Sequence, residues 1–190
     1  MKGNIKDKRV QRSINMLENA YIELLLEKPL NKILVKDVTD RAGVNRGTFY
    51  LHYNGVNDIL ESIERKIEEE LIGIFDNLPK DDLYDRVYEA LEFARKNKDI
   101  FTVLLGPDGD IKFTEKIMSI IGSKIMYFGS GSEERVNTKI NIMADFCLYG
   151  CLGVIGGWLK KYSYTPTEKV AQMLTVMLNQ FENQVRLAQK

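Results

Sequence analysis

Apolar residues return along most of this chain at the three- and four-residue intervals of a helix, and no strand-like alternation of useful length occurs. Val10, Ile14, Leu17, Tyr21 and Leu24 follow at spacings of four, three, four and three. That stripe predicts a helix from about Lys8 to Leu26, ended by Glu27-Lys28-Pro29. Val35, Val38 and Ala42 mark a second, short helix over 33–42, closed by Gly43, a residue suited to the left-handed conformation after a helix end. A third short segment runs from Asn45 to about Tyr53. After the turn pair Asn54-Gly55, Asn57 is placed to cap a long helix. Its apolar face is Ile59, Ile63, Ile67, Leu71, Ile74 and Leu78, and Glu61, Glu64, Arg65, Glu68 and Glu69 take the other.

Pro79 interrupts this pattern. Leu83, Val87, Leu91 and Ala94 predict a helix from Asp81 or Asp82 to Lys96, Ile100 to Leu105 a short apolar turn, and Gly106 to Asp110 a loop. Phe113, Ile117, Ile120, Lys124 and Phe128 carry the helical count to a break at Gly129 to Ser132. The segment from about Glu133 to Lys161 is apolar on two adjacent sides. Ile140, Met143, Cys147, Gly150, Val154 and Trp158 lie on one, with Ile142, Phe146, Tyr149 and Gly153 beside it. Such a helix must be covered from several directions. Thr165-Pro166-Thr167-Glu168 combines a capping box with proline at the first helical position, and opens a last helix running to about Leu187. The predicted fold class is all-α, with about nine helices and no internal repeat.

The 190 residues are 44% hydrophobic, ample for a core, and the net charge is zero. That zero conceals an asymmetry: residues 1–53 hold ten Lys and Arg against six Asp and Glu, so the head is basic and the remainder acidic. A polyanion would meet the head alone. The N-terminus lacks the apolar run of a secretory signal, and no later stretch reaches the roughly 20 uninterrupted apolar residues that span a bilayer, so a cytoplasmic protein with no membrane partner is expected. Cys147 and Cys151 lie four apart on one helix, read as buried free thiols. With no further cysteine and one histidine, no metal site and no cofactor are expected. No nucleophile constellation, P-loop or dinucleotide fingerprint is present either, and an enzyme is not expected.

The informative stretch is Val35 to Tyr53, VKDVTDRAGVNRGTFYLHY. Two short helices are joined by a tight turn at Gly43-Val44, the geometry of a helix-turn-helix. Within it, AGVNRGTFYLHY resembles the signature of the TetR family of bacterial regulators, and the resemblance extends over about Lys8 to Arg65. Phe101 to Asp110, with its Leu-Leu-Gly-Pro-Asp-Gly-Asp, resembles the C-terminal region of one branch of that family. The resemblance implies an N-terminal three-helix DNA-binding head over 8–65, with the helix-turn-helix at about 34–53. A helical effector-binding and dimerisation domain over 66–190 would follow. It implies a transcriptional regulator, a repressor acting as a homodimer on palindromic double-stranded DNA, under the control of a small-molecule or protein effector.

A recognition helix offers its first residues to the major groove. Asn45, Arg46 and Thr48 would lie on that exposed turn, with Arg46 able to fork onto a guanine. Gly47 would let the helix approach closely. Tyr50 and Lys36 can donate to phosphates, and His52 by resemblance faces one. Phe49 and Tyr53 are spaced to be core. Lys2, Lys6, Lys8, Arg9 and Arg12 resemble a basic arm, and equally a solvated terminus. Two departures from the family pattern stand out. Leu34 occupies the place of a Ser or Thr cap, leaving Asp37 to serve that terminus, and Asn54-Gly55-Val56 replaces a turn that commonly carries phosphate-anchoring lysines. The alternative is therefore a helical ligand-binding or protein-interaction dimer with weakened DNA binding.

In the body, Tyr84, Tyr88, Phe93, Phe101, Met118, Met126 and Trp158 are candidate lining for an effector pocket. Cys147, Gly150, Val154, Trp158, Met173, Met177 and Phe181, on the last two long helices, are candidates for the dimer interface. Gly150, Gly153, Gly156 and Gly157 would permit close backbone approach, either to a neighbouring helix or to the partner subunit.

Overall fold

A computed structural model describes residues 3–79, 82–106, 109, 111–125 and 138–188. Among them are nine α-helices and no strand. They are α1 (Gly3–Glu27), α2 (Val35–Ala42), α3 (Arg46–Tyr50), α4 (Val56–Asn77), α5 (Leu83–Lys96), α6 (Lys98–Leu104), α7 (Ile111–Ile125), α8 (Thr138–Lys161) and α9 (Thr167–Ala188), with a 3-10 turn at Leu30–Lys32. The chain divides into two compact units, 1–67 and 68–190, and α4 is the helix that belongs to both.

In the first unit α1 packs on α2 and α2 on α3. The stripe on α1 is buried only from Leu17 onward, with Tyr21 and Leu24, whereas Val10 nearer the terminus is exposed. Val38 and Ala42 of α2, Phe49 of α3, Tyr53, and Ile59, Ile63 and Ile67 of α4 complete this core. Burying Phe49 and Tyr53 removes two rings from water, each a contribution of about 2 kcal/mol. They contact one another at 5.9 Å between centroids.

The start of α2 shows how a missing cap is replaced. Leu34 at the N-cap has no acceptor, and Asp37 Oδ2 takes the Leu34 N–H at 2.9 Å and pairs with Lys28 Nζ at 2.6 Å. The Lys28 ammonium and the Leu34 amide hold the Asp37 carboxyl below its usual range. Asn57 does not cap α4. The helix begins at Val56, and Asp58 Oδ2 reaches back to the backbone and side-chain nitrogens of Asn54, both at 2.8 Å. A carboxylate in the first turn outcompetes the amide because it accepts both bonds with a full charge, and it complements the helix dipole.

In the second unit Phe75, Leu91, Phe101, Leu104, Phe113, Ile117, Leu159, Ala171 and Leu174 are buried. The segment expected as an apolar turn at Ile100 to Leu105 is helix α6, whose Phe101 meets Phe93 of α5 edge-on at 5.8 Å. Helix α9 begins at Thr167, and the threonine hydroxyl is turned away from its own helix. It accepts from Arg95 Nη1 at 3.0 Å and donates to Glu92 Oε1, tying α9 to α5. Trp158 is core: its indole N–H donates to the Thr165 carbonyl at 2.9 Å, bracing the α8–α9 connection.

Ile142–Lys161 of α8 has a mean hydropathy of 1.6 and is by length and composition alone long and apolar enough to cross a membrane. Counting only uninterrupted apolar runs passes over it because glycines and Asp145 break the run without lowering the average below a spanning value. Only 22% of that window is buried, and its exposed residues include Ile142, Phe146 and Tyr149.

Candidate DNA-binding surface

The turn between α2 and α3 depends on Gly43, whose φ of 66° is the one left-handed glycine among the described residues. Nothing lies within 4 Å of where its Cβ would stand, so backbone conformation alone calls for glycine here. The Gly43 N–H donates to the Asp40 carbonyl and the Val44 N–H to that of Thr39, which closes α2 and turns the chain.

Asn45 sits at the N-cap of α3, and its Oδ1 accepts from the Thr48 amide at 2.8 Å and the Thr48 hydroxyl at 3.1 Å. That carbonyl oxygen and the Thr48 proton are thus engaged with each other, on a side chain that is itself exposed. Gly47 gains a reason beyond close approach to a partner: a Cβ there would stand 3.2 Å from Asn45 Oδ1, crowding the cap. Arg46 and Gly47 are exposed, His52 is half-buried, and Lys36 is exposed on α2.

Tyr50 is 57% exposed although its ring leans edge-on against the fully buried Phe49, 5.3 Å between centroids. One aromatic is thus anchored inside while its neighbour is held outside, which fixes the rotation of α3 about its axis. The helix ends at Tyr50, shorter than the span to Tyr53, but the Tyr53 amide still bonds the Phe49 carbonyl at 3.0 Å, so the turn continues. The stretch resembling an arm is helical from Gly3, with Lys8, Arg9 and Arg12 exposed on α1. An α-helix is too wide for the minor groove, so a helical segment does not enter it as an extended arm would; Lys2 lies outside the described residues.

Sequence reasoning missed the joint behind this surface. Glu18 of α1 is buried, and its carboxylate accepts from the Tyr53 hydroxyl at 3.0 Å, Ser62 Oγ at 3.1 Å and Lys66 Nζ at 2.6 Å. One carboxylate therefore links α1, the segment after α3, and α4. Burial and the adjacent Glu18 charge push the Tyr53 phenol above its usual value. A charged residue flanked by the buried Leu17 and Ala20 was the signal available.

The residues suggested for an effector pocket do not converge. Phe93, Phe101, Met118 and Trp158 are buried, Tyr84 and Tyr88 stack on each other half-exposed at 6.1 Å, and Met126 lies outside the described residues. Phe101 lines a cavity of about 560 Å³ with Thr102, Leu152, Gly153, Gly156 and Lys160, whereas Trp158 lines a separate one of about 530 Å³ with Met173 and Tyr162. Of the suggested interface residues, Gly150, Met173 and Met177 are exposed, Cys147, Val154 and Phe181 half-buried, and Trp158 buried. Cys147, Gly150, Met177 and Phe181 line a groove of about 730 Å³ between α8 and α9, and both thiols are free. Phe146, 81% exposed, and Ile142, Tyr149 and Val176 extend the apolar face beyond the suggested set.

A family model for the transcriptional regulator C-terminal region of the TetR type matches residues 81–180. A helix-turn-helix regulator of Bacillus subtilis strain 168, YxbF, uncharacterised, is 24% identical over 96 residues, covering 47% of this chain and 25% of that protein, so the likeness spans a quarter of the relative. A TetR regulator from Streptococcus agalactiae 2603V superimposes with a TM-score of 0.66 at 22% identity, over 93% of this chain and 98% of its own. A regulator of the AcrR type from Aquifex aeolicus VF5 does so with a TM-score of 0.61 at 16% identity, over 88% and 98%. With the all-α fold of these structures and a regulator C-terminal region matched over more than half its length, the chain belongs to the TetR family of transcriptional regulators.

Proposed function

We propose that the protein is a repressor that binds a palindromic operator as a homodimer, reads it with α3, and is released by an effector bound in the C-terminal region. The head, residues 8–65, is the DNA-binding domain, and 66–190 carries dimerisation and effector control. It acts in the cytoplasm, where occupied operators exclude polymerase. The observation that carries this reading is the outer edge of α3: Arg46, Gly47 and Tyr50 exposed on a helix locked from behind by Phe49 and Tyr53. Arg46 reads a guanine edge, Tyr50, Lys36 and His52 hold phosphates, and Asn45 and Thr48 form the cap that faces the groove.

One short helix reads too few base pairs for specificity, so two must act together across a two-fold axis. The exposed apolar residues of α8 and α9, Phe146, Tyr149, Met173 and Val176 among them, supply a surface for a second copy, while Trp158 is core. Helix α4 runs from the head into the second unit, so an effector that moves it changes the spacing of the recognition helices, with a coupling of about 1–3 kcal/mol.

Arg46→Ala and Lys36→Ala separate specificity from affinity. Arg46→Ala should relax preference at one base pair per half-site by about 1–3 kcal/mol, while Lys36→Ala should weaken binding to all sequences and reduce the salt slope by about one. The Asn54-Gly55-Val56 turn offers no cation, which favours modest affinity. Equal binding of specific and random duplexes by the unmodified protein would support a ligand-binding dimer without operator recognition.

A further inference from the structure

Every guanidinium in a protein stays charged, so a buried one needs an anion. Arg86, in the first turn of α5, is 3% exposed. Its side chain makes no hydrogen bond and no ion pair among the described residues, and Nε is sealed from solvent and unpartnered. Its one contact of this kind is with Phe75 near the end of α4, the guanidinium carbon standing over the ring at 5.5 Å from the centroid. A cation on an aromatic face recovers only part of the hydration lost on burial. It also uses the flat side of the guanidinium and leaves the N–H donors at its edge, the fork that matches two oxygens of a carboxylate or phosphate.

We propose that Arg86 is the recognition point for an anionic effector, an organic carboxylate or phosphate that supplies the guanidinium with a charge partner. This rests on the effector-controlled reading above and names the chemistry of the effector. Glu92 and Arg95 farther along α5 are not free to pair with it in the same way, since both engage Thr167. The placement also gives the effector a handle on the DNA-binding end of the chain. An oxyanion drawing on the guanidinium changes its hold on Phe75, and Phe75 belongs to α4, the helix shared with the head.

The test is thermal unfolding of the full-length protein with inorganic phosphate, acetate, benzoate or octanoate at constant ionic strength, against acetamide, benzamide and octanamide as neutral counterparts. Arg86→Met removes the charge and keeps an apolar chain of similar reach, and Arg86→Lys keeps the charge without the fork. At saturating concentration at least one anion should raise the melting temperature of the unmodified protein by about 3 °C or more, its amide should not, and Arg86→Met should not respond. Without anion, Arg86→Met should melt at or above the parent, because an unpaired buried charge has been removed. Arg86→Lys should show a reduced shift and stands in should Arg86→Met fail to fold. A lower melting temperature for Arg86→Met with the same anion response as the parent would overturn the proposal, and so would a parent that responds to none of the four anions. Because the readout needs no DNA, an anion shift in a protein that binds no operator would leave this inference standing and remove the repressor reading, while operator binding without any anion shift would do the reverse.

Discussion

Replacing Glu18 by alanine removes the acceptor that joins α1, Tyr53 and α4. In Glu18→Ala the Tyr53 hydroxyl stays buried without its carboxylate acceptor and with only the Ser62 hydroxyl beside it, costing about 1–3 kcal/mol, and the lost methylene adds about 1 kcal/mol. Lys66, whose side chain is 39% exposed, returns to water and contributes little. The expected loss is therefore about 2–4 kcal/mol. Tyr53→Phe alone should cost about 1–2 kcal/mol, since the carboxylate keeps Ser62 and Lys66. In the Glu18→Ala background the same change should cost little or nothing, because the hydroxyl has already lost its carboxylate acceptor and keeps only Ser62. The double-mutant cycle should then show a coupling of about 1–2 kcal/mol. The chain's one tryptophan, Trp158, lies in the second unit, so its fluorescence does not report the head, and urea unfolding must be followed by circular dichroism or by amide exchange in α1 and α4. Additivity within about 0.5 kcal/mol would refute the joint.

Two further outcomes follow from the head and from α4. Gly43→Ala should destabilise the head by about 1 kcal/mol through backbone strain alone, whereas Gly73→Ala, in open space inside a helix and at negative φ, should stabilise α4 by about 0.5–1 kcal/mol in the same unfolding assay. Asp37 and Asp58 have depressed folded-state values, from the Lys28 and Leu34 contacts and from the Asn54 contacts respectively. Their contribution is therefore complete above the unfolded aspartate value near 4 and is lost as pH falls through the lower folded values. Melting temperature followed from pH 6 to pH 2 should drop in that window, and Asp37→Asn with Asp58→Asn should flatten the drop.

The parts of the fold legible in the sequence are those set by local physics. Helical spacing places α1, α2, α4 and α5 to within a few residues, and Gly43 marks the one turn among the described residues that takes a left-handed glycine. Phe49 and Tyr53 read as core because their interval of four returns one helix face to the same side. What escaped the reading depends on contacts between distant segments. Nothing local to Glu18 announces that Tyr53 and Lys66 will converge on it, and nothing near Thr167 points to Glu92 and Arg95. Asn57 was a reasonable cap, but the choice between it and Asp58 turned on which side chain reached Asn54. Trp158 is open to a ligand or a partner by sequence alone, but its indole N–H is taken by the Thr165 carbonyl. The aromatic residues of the body read alike by composition, and only three-dimensional packing sorts Phe101, against a cavity, from Tyr84 and Tyr88, stacked on each other.

Selection of duplexes from a random-sequence library by the unmodified full-length protein tests the α3 reading most directly. It should enrich an inverted repeat whose half-site centres lie about 10 base pairs apart or a multiple of that, bound by two subunits and lost more steeply as salt rises. Recovery of no shared sequence, or of a single unrepeated site bound by one subunit, would contradict it.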